Sequence, residues 1–178
     1  MKVSGRIAVT TILTLGMLSL ASAQKIARPN VPDSIKAPAD EEVVLVAHAS
    51  GEQIYKCTGD ATLSLGWTFK EPQAQLFDAQ GRVIGRHYAG PTWELNDGSA
   101  ITGRTGPYEE YPDDNSIAWL RINVVSHSGR GLLSRVTTVQ RINTKGGKPP
   151  GDPCDATIPN NEVKSSYTAD YYFYAPVK

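Results

Sequence analysis

Three side chains capable of acid–base chemistry lie close together near the middle of the sequence: His87, Glu94 and Asp97. The segments on either side of Gly90-Pro91 have the pattern of neighbouring strands, so we expect His87 and Glu94 to approach each other across a tight turn. An imidazole beside one or two carboxylates can bind a divalent metal, or serve as acid and base in a hydrolase. A structural interpretation also fits, in which Glu94 orients a packed His87 and Asp97 only forms the Asp-Gly turn.

Three tryptophans suggest a second kind of site, because flat aromatic rings on an exposed sheet can stack on sugar rings. Aromatic rings also dominate protein cores, and Trp67 alternates with leucines, which favours a core position for it. Trp119 lies opposite the apolar side of its strand, as an exposed platform or as part of a second buried face. Trp93, beside the Gly-Pro turn, is the main surface candidate. The ligand-binding candidates of a carbohydrate-binding module are therefore Trp93, Tyr88 and Trp119.

The other reactive side chains are weaker indications of a functional site. His48 and His127 have no partner at metal-ligand spacing, so a three-histidine site with His87 requires the fold to bring them together. The acidic loop 106–115 offers clustered oxygens for Ca²⁺, but its spacing is not that of an EF-hand, and a solvated loop is the simpler interpretation. No G-x-S-x-G, S-x-x-K or H-E-x-x-H motif is present. We predict no cofactor, with a divalent metal at His87 and Glu94 as the alternative.

The N-terminus has the pattern of a secretory signal peptide over residues 1–23. Lys2 and Arg6 give a positive start, residues 7–20 are uncharged and mainly apolar, and Ala21-Ser22-Ala23 is a small-residue cleavage site. A transmembrane anchor is the alternative interpretation, but a spanning helix needs roughly 20 predominantly apolar residues. We therefore expect an exported protein, periplasmic or extracellular.

After cleavage, a Pro-rich lead-in (residues 24–40) precedes a single β domain (residues 41–178). Proline removes backbone donors, so the lead-in should be extended or disordered rather than part of a sheet. Cleavage removes two of the 18 basic residues and none of the 18 acidic ones, which leaves a net formal charge of −2. This balance argues against nucleic-acid binding, which needs a basic surface. No second hydrophobic stretch predicts membrane association.

Two cysteines, Cys57 and Cys154, remain in the mature chain. In an exported protein a lone pair of cysteines is most simply a disulfide, and two free thiols or two metal ligands are the alternatives. A disulfide between them would connect the loop near the C-terminus to an early strand.

Short β-patterned runs separated by turn residues fill the rest of the chain. The alternation in residues 117–125 predicts that Ala118, Leu120, Ile122 and Val124 face the core, and near the C-terminus Tyr171 and Phe173 share one face. Hairpin turns are predicted at residues 78–81 and 96–99. About eight to ten short strands without a long amphipathic helix predict an all-β fold, an antiparallel β-sandwich or barrel.

Several segments resemble the DUF3455 family, a domain of unknown function found in secreted bacterial proteins and in fungi. The resemblance covers nearly all of residues 40–175. The segments that carry it are Gly51-Glu52-Gln53-Ile54-Tyr55-Lys56-Cys57, residues 87–99, Ile117-Ala118-Trp119-Leu120 (with Ala118 where proline is commoner), residues 139–147 and residues 169–174.

This resemblance implies no established activity. Some fungal relatives carry a malate dehydrogenase label, which this sequence does not support. A nicotinamide dehydrogenase needs a Gly-rich turn between a strand and a helix, whereas residues 98–103 have the wrong spacing and lie in a predicted hairpin. We favour a non-enzymatic binding or structural module with residues 87–99 at its working surface. A metal-assisted hydrolase and a carbohydrate-binding module are the alternatives. The partner is a small molecule, a glycan or a protein, and the oligomeric state stays open.

Overall fold

A computed structural model describes Met1 and residues 25–60, 64–154 and 162–177. The predicted signal peptide, apart from Met1, lies outside the described residues. Within these ranges the strands are β1 (Glu41–Asp60), β2 (Ser64–Phe77), β3 (Val83–Tyr88), β4 (Thr92–Leu95), β5 (Ala100–Gly103), β6 (Glu109–Tyr111), β7 (Trp119–Ser128), β8 (Thr138–Gly146) and β9 (Glu162–Pro176). Two short 3₁₀ helices accompany them, η1 (Asp33–Ile35) and η2 (Leu132–Arg135).

All the strands belong to one antiparallel sheet in the order β5-β4-β3-β2-β1-β9-β8-β7-β6. The sheet closes on itself because β5 also pairs with the second half of β7, while β6 pairs with the first half of β7. The all-β antiparallel prediction is confirmed, and the arrangement is closed rather than two stacked sheets. Closure gives the sheet an inside and an outside, and each strand alternates its side chains between them.

Two strands are longer than the sequence pattern predicts. β1 has 20 residues and β2 has 14, whereas the sequence pattern predicts short strands. Gly51 lies inside β1. A Cβ there would stand 2.2 Å from the Gln73 carbonyl oxygen and 2.4 Å from Ala74 Cα, so glycine allows β1 and β2 to pack closely.

The inside of the closed sheet holds the main hydrophobic core. Leu120 and Ile122 of β7 face it, as do Tyr171 and Phe173 of β9, and all four are buried. The face predictions for both strands are confirmed at these positions. At the end where β7 finishes, η2 inserts Leu133, which is completely buried and fills that end of the sheet.

The Pro-rich lead-in forms no strand, but it is packed rather than free. Val31 and Ile35 are buried against Ile142, and Trp119 and Tyr172 pack against the same cluster. The lead-in thus packs over aromatic rings on the outer face of the sheet and shields them from water. Over residues 25–40 the lead-in therefore lies outside the sheet, as predicted, and of the two alternatives, extended or disordered, disorder does not hold.

A disulfide joins Cys57 of β1 to Cys154 in the loop after β8, with a sequence separation of 97. The predicted disulfide is therefore confirmed. In the described part of the chain, no helix has the length and apolar character needed to cross a membrane.

Candidate functional site

The structure places His87 and Glu94 on opposite faces of the sheet. β3 and β4 pair Arg86 with Glu94 and His87 with Trp93. His87 and Trp93 therefore point inside, and Arg86 and Glu94 point outside. The two side chains proposed for a hydrolase or metal site are not brought together.

His87 is a buried, neutral member of the inner wall. Only 3% of it is exposed, and its ring stacks on the Trp93 indole with centroids 4.4 Å apart and planes 10° from parallel. His87 Nδ1 lies 2.8 Å from the Thr92 carbonyl oxygen. Since a carbonyl can only accept, Nδ1 carries the proton and Nε2 keeps its lone pair. Burial lowers the pKa of His87 to about 3, against the opposing effect of the Thr92 hydrogen bond.

Glu94 belongs to an exposed polar group on the outer face. The Tyr88 hydroxyl donates to Glu94 Oε2 at 2.7 Å, and Arg86 Nη2 donates to the same oxygen at 2.9 Å. The Tyr88 hydrogen bond, followed by that of Arg86, lowers the pKa of Glu94. Tyr88, a predicted ligand contact, is thus already engaged by Glu94 and stacked under the Arg86 guanidinium.

Asp97 connects the β4–β5 turn to η2. Its Oδ1 accepts from the Ser99 amide at 2.8 Å and the Ser99 hydroxyl at 2.6 Å, while Oδ2 accepts from the Leu132 amide at 2.8 Å. Partial burial raises the pKa of Asp97, but these hydrogen bonds outweigh it, so the pKa is lowered. Gly131 is needed beside it, because a Cβ there would stand 2.3 Å from Asp97 Oδ2. The side chain organises structure and lies away from His87.

Trp93 is not a surface platform. It has no exposed area and packs edge-on against Tyr171 and Phe173 at centroid distances of 5.5 and 6.2 Å. The expectation of an exposed Trp93 fails because its strand position shares the inner face with His87. Trp119 is half-buried on the second, outer cluster, and Trp67 is half-buried with its Nε1 donating to the Asp152 carbonyl at 3.1 Å. The three indoles therefore form no common strip.

The remaining histidines lie apart from His87. His48 Nδ1 lies 2.5 Å from Asp170 Oδ1 on exposed side chains, and His127 Nε2 lies 2.7 Å from the Val136 carbonyl oxygen. In the acidic loop, Glu109 pairs with Arg121 at 3.0 Å. Across the described ranges, no group of three histidine, cysteine or acidic side chains is arranged to hold a metal ion.

A cavity of about 490 Å³ lies inside the closed sheet at the end where β7 begins. This is the end opposite η2, since the chain passes through the whole of β7 between them. Apolar and aromatic side chains make most of its wall. They are Phe69, Pro72, Pro91, Trp93, Ile117, Ala118, Leu120 and Ile122.

Polar groups converge on the same cavity. Gln53, His87, Arg141 and Tyr171 line it, and Arg141 and Tyr171 are direct register partners across β8 and β9. Arg141 Nε and Nη2 both donate to the Ala118 carbonyl, at 3.1 and 2.8 Å. The indole Nε1 of Trp93 is buried and has no hydrogen-bond partner among the described residues. Such an orphaned donor calls for a physical explanation.

Sequence reasoning missed Arg141 and the cavity. The available signal was strand alternation. Val139 and Phe173 pair on the inner face of the sheet. Arg141 and Tyr171 each lie two residues away on the same strands, so they face inside as well. Without closure of the sheet, however, an inward arginine has no cavity to line.

The comparisons with known proteins agree with the sequence resemblance. The sequence profile of a family described as "Protein of unknown function (DUF3455)" matches residues 38–175. Neither the curated proteins nor the solved structures gave a match to the chain. The matched segment includes the whole cavity wall and all the described strands except the last residue of β9, and the chain belongs to the DUF3455 family.

Proposed function

We propose that this protein is an exported, non-enzymatic binding module that holds a small molecule in the cavity at the β7 end of the closed sheet. The observation that carries the proposal is the cavity itself: about 490 Å³, within the range of roughly 300–1,000 Å³ typical of small-molecule sites. Its wall is mainly apolar with a few fixed polar groups, which is the usual composition of such sites.

The rigidity of the wall supports binding. Strands on all sides of the closed sheet contribute to it, and His87 is fixed by the Thr92 carbonyl and by stacking on Trp93. The disulfide holds the loop after β8 to β1, near Tyr55 of the wall, whose hydroxyl donates to the Gly147 carbonyl at 2.7 Å. A preformed cavity of this kind lowers the entropy cost of binding.

The chemistry of the cavity supports binding rather than catalysis. The hydrolase hypothesis needed His87 beside Glu94, and these lie on opposite faces. A neutral His87 whose Nδ1 proton is committed to a backbone carbonyl is suited to a fixed wall contact. Export is supported by the signal-peptide pattern of residues 1–23 and is compatible with the disulfide.

A fluorescence titration tests the proposal. The probe is N-phenyl-1-naphthylamine, an uncharged compound that brightens in apolar surroundings. The matched variants are Ala118→Phe, which adds a ring to the cavity wall, and Val125→Phe, which adds the same ring at an exposed position of β7. We expect saturable binding to the wild type and to Val125→Phe, and affinity weakened about tenfold or more in Ala118→Phe.

Circular dichroism and thermal unfolding of each variant establish that it is folded. Absence of saturable binding to the folded wild type contradicts the proposal. Equal affinity of Ala118→Phe and Val125→Phe also contradicts it, because the probe would then bind outside the cavity.

A further inference from the structure

We propose that the ligand of this cavity is an anionic amphiphile: an apolar body carrying one carboxylate, phosphate or sulfonate group that pairs with Arg141. This inference rests on the proposed function, because it names the class of molecule that the same cavity would hold.

Arg141 is a cation without a counter-ion. In the described part of the chain its guanidinium makes no salt bridge, whereas Arg82, Arg86 and Arg121 each pair with a carboxylate. Its two hydrogen bonds use Nε and Nη2 on one carbonyl, which leaves the N–H groups of Nη1 for a ligand. A partly buried charge is costly unless it is paired, and guanidinium is suited to planar, bidentate pairing with oxyanions.

Among the described residues that line the cavity, every charged side chain other than Arg141 is exposed. The wall's remaining charged side chains are Lys70 and Glu110, both exposed, and Lys70 is paired with Glu162 at 2.9 Å. His87 is neutral because burial lowers its pKa to about 3. Among the described lining residues, Arg141 therefore supplies the one charge that is not exposed, which matches a ligand with a single negative group.

Further donors line the same cavity. Tyr171 is the register partner of Arg141, and its ring lies 5.5 Å from the Trp93 indole, whose buried Nε1 lacks a partner among the described residues. Burial raises the pKa of Tyr171, so its hydroxyl, which lies 3.4 Å from the Tyr167 hydroxyl, keeps its proton. Donors of this kind suit an oxyanion, which accepts hydrogen bonds through several lone pairs.

The rest of the wall suits an apolar body. Ile117, Leu120 and Ile122 line one side of the cavity, with Phe69 and Pro72 opposite them on β2. A small hydrophilic anion would leave these apolar side chains in contact with water. A neutral apolar molecule would leave the charge of Arg141 unpaired. An amphiphile satisfies both parts of the wall.

Two probes that differ by one charged group test this inference. N-phenyl-1-naphthylamine is uncharged, and 1-anilinonaphthalene-8-sulfonate has the same ring system with a sulfonate added. We expect the wild type to bind the sulfonate probe about tenfold or more tighter than the uncharged one, since a hydrogen-bonded charge is worth at least that factor. Arg141→Met should remove this preference while leaving the affinity for the uncharged probe within about twofold.

Arg141→Lys and Arg86→Met complete the design. Lysine keeps the charge but loses the bidentate geometry, so part of the preference should remain. Arg86→Met removes an exposed outer-face arginine and should change neither affinity. If Arg141→Met does not fold, the wild-type preference and the Arg141→Lys variant still decide the question.

The outcomes separate this inference from the proposed function. Equal wild-type affinities for the two probes, or an equal effect of Arg141→Met on both, overturn the anion inference while cavity binding stands. Failure of both probes to bind, or binding of both that is unchanged in Ala118→Phe, overturns the proposed function and the anion inference with it.

Discussion

At the scale of single residues, the side chains that carried the first hypothesis have separate structural roles. His87 is a neutral, stacked part of the inner wall, Glu94 pairs with Arg86 outside, and Asp97 caps a turn. The side chain that we propose binds the ligand is instead Arg141, which the strand alternation places inside. Residue type alone pointed to His87, which lines the cavity, but could not show that Glu94 lies on the opposite face.

Burial of His87 predicts a specific loss of stability in acid. Its pKa is about 3 when folded and 6.5 ordinarily. Between these values the unfolded chain binds a proton that the folded chain does not, so the fold is destabilised as pH falls below 6.5 towards 3. The largest slope is about 1.4 kcal/mol per pH unit.

His87→Asn provides the comparison, because its amide can donate to the Thr92 carbonyl in place of Nδ1 but does not titrate. From about pH 6.5 to pH 4.5, urea denaturation should show the wild type losing about 2–3 kcal/mol more unfolding free energy than the variant. Contributions of the groups that the two proteins share cancel in this difference. Parallel pH profiles for the two proteins would show that His87 is not kept neutral by the fold.

At the scale of elements, the turn between β4 and β5 and the short helix η2 act as one unit. Asp97 and Ser99 bind the first amides of η2, the Ser99 hydroxyl accepting from the Leu133 amide at 3.2 Å. These contacts hold Leu133 in the end of the closed sheet, away from the cavity. The Asp-Gly-Ser sequence is thus explained by packing at this end.

Asp97→Ala should lower the unfolding free energy by about 1–3 kcal/mol, because three donors lose a charged acceptor. The matched control is Asp114→Ala, which removes an exposed acidic side chain of the loop before β7 and should stay close to the wild type. Urea denaturation measures both. An effect of Asp97→Ala no larger than that of Asp114→Ala would contradict the role given to Asp97.

Alternation explains what the sequence could predict about the elements. Leu120 and Ile122 were assigned to the core because apolar residues recur at every second position, and the same alternation put Tyr171 and Phe173 on one face. The relation of His87 to Glu94 depends instead on the register across the β3–β4 turn. Because a slip of one residue moves a side chain to the other face, composition and spacing could not decide it.

At the scale of the whole molecule, closure of the sheet creates the cavity on which the proposed function rests. The β5–β7 pairing turns inward-facing side chains of distant strands into one cavity wall. Closure is a long-range property that no local pattern reports, so neither the cavity nor the burial of Trp93 was predictable. The packing of the lead-in was not predictable for a similar reason, because it depends on outer-face aromatic rings such as Tyr172 that lie far away in the sequence.

The tryptophans provide the most direct test of cavity binding. The chain has 3 of them, and their indole N–H groups give separate NMR signals, assigned with Trp119→Phe and Trp67→Phe. Trp93 lines the cavity, whereas Trp119 packs on the outer face and Trp67 donates to Asp152. On titration with 1-anilinonaphthalene-8-sulfonate, we expect the Trp93 signal to shift saturably while that of Trp119 stays in place. A Trp93 signal that does not move when the probe binds would contradict binding in the cavity.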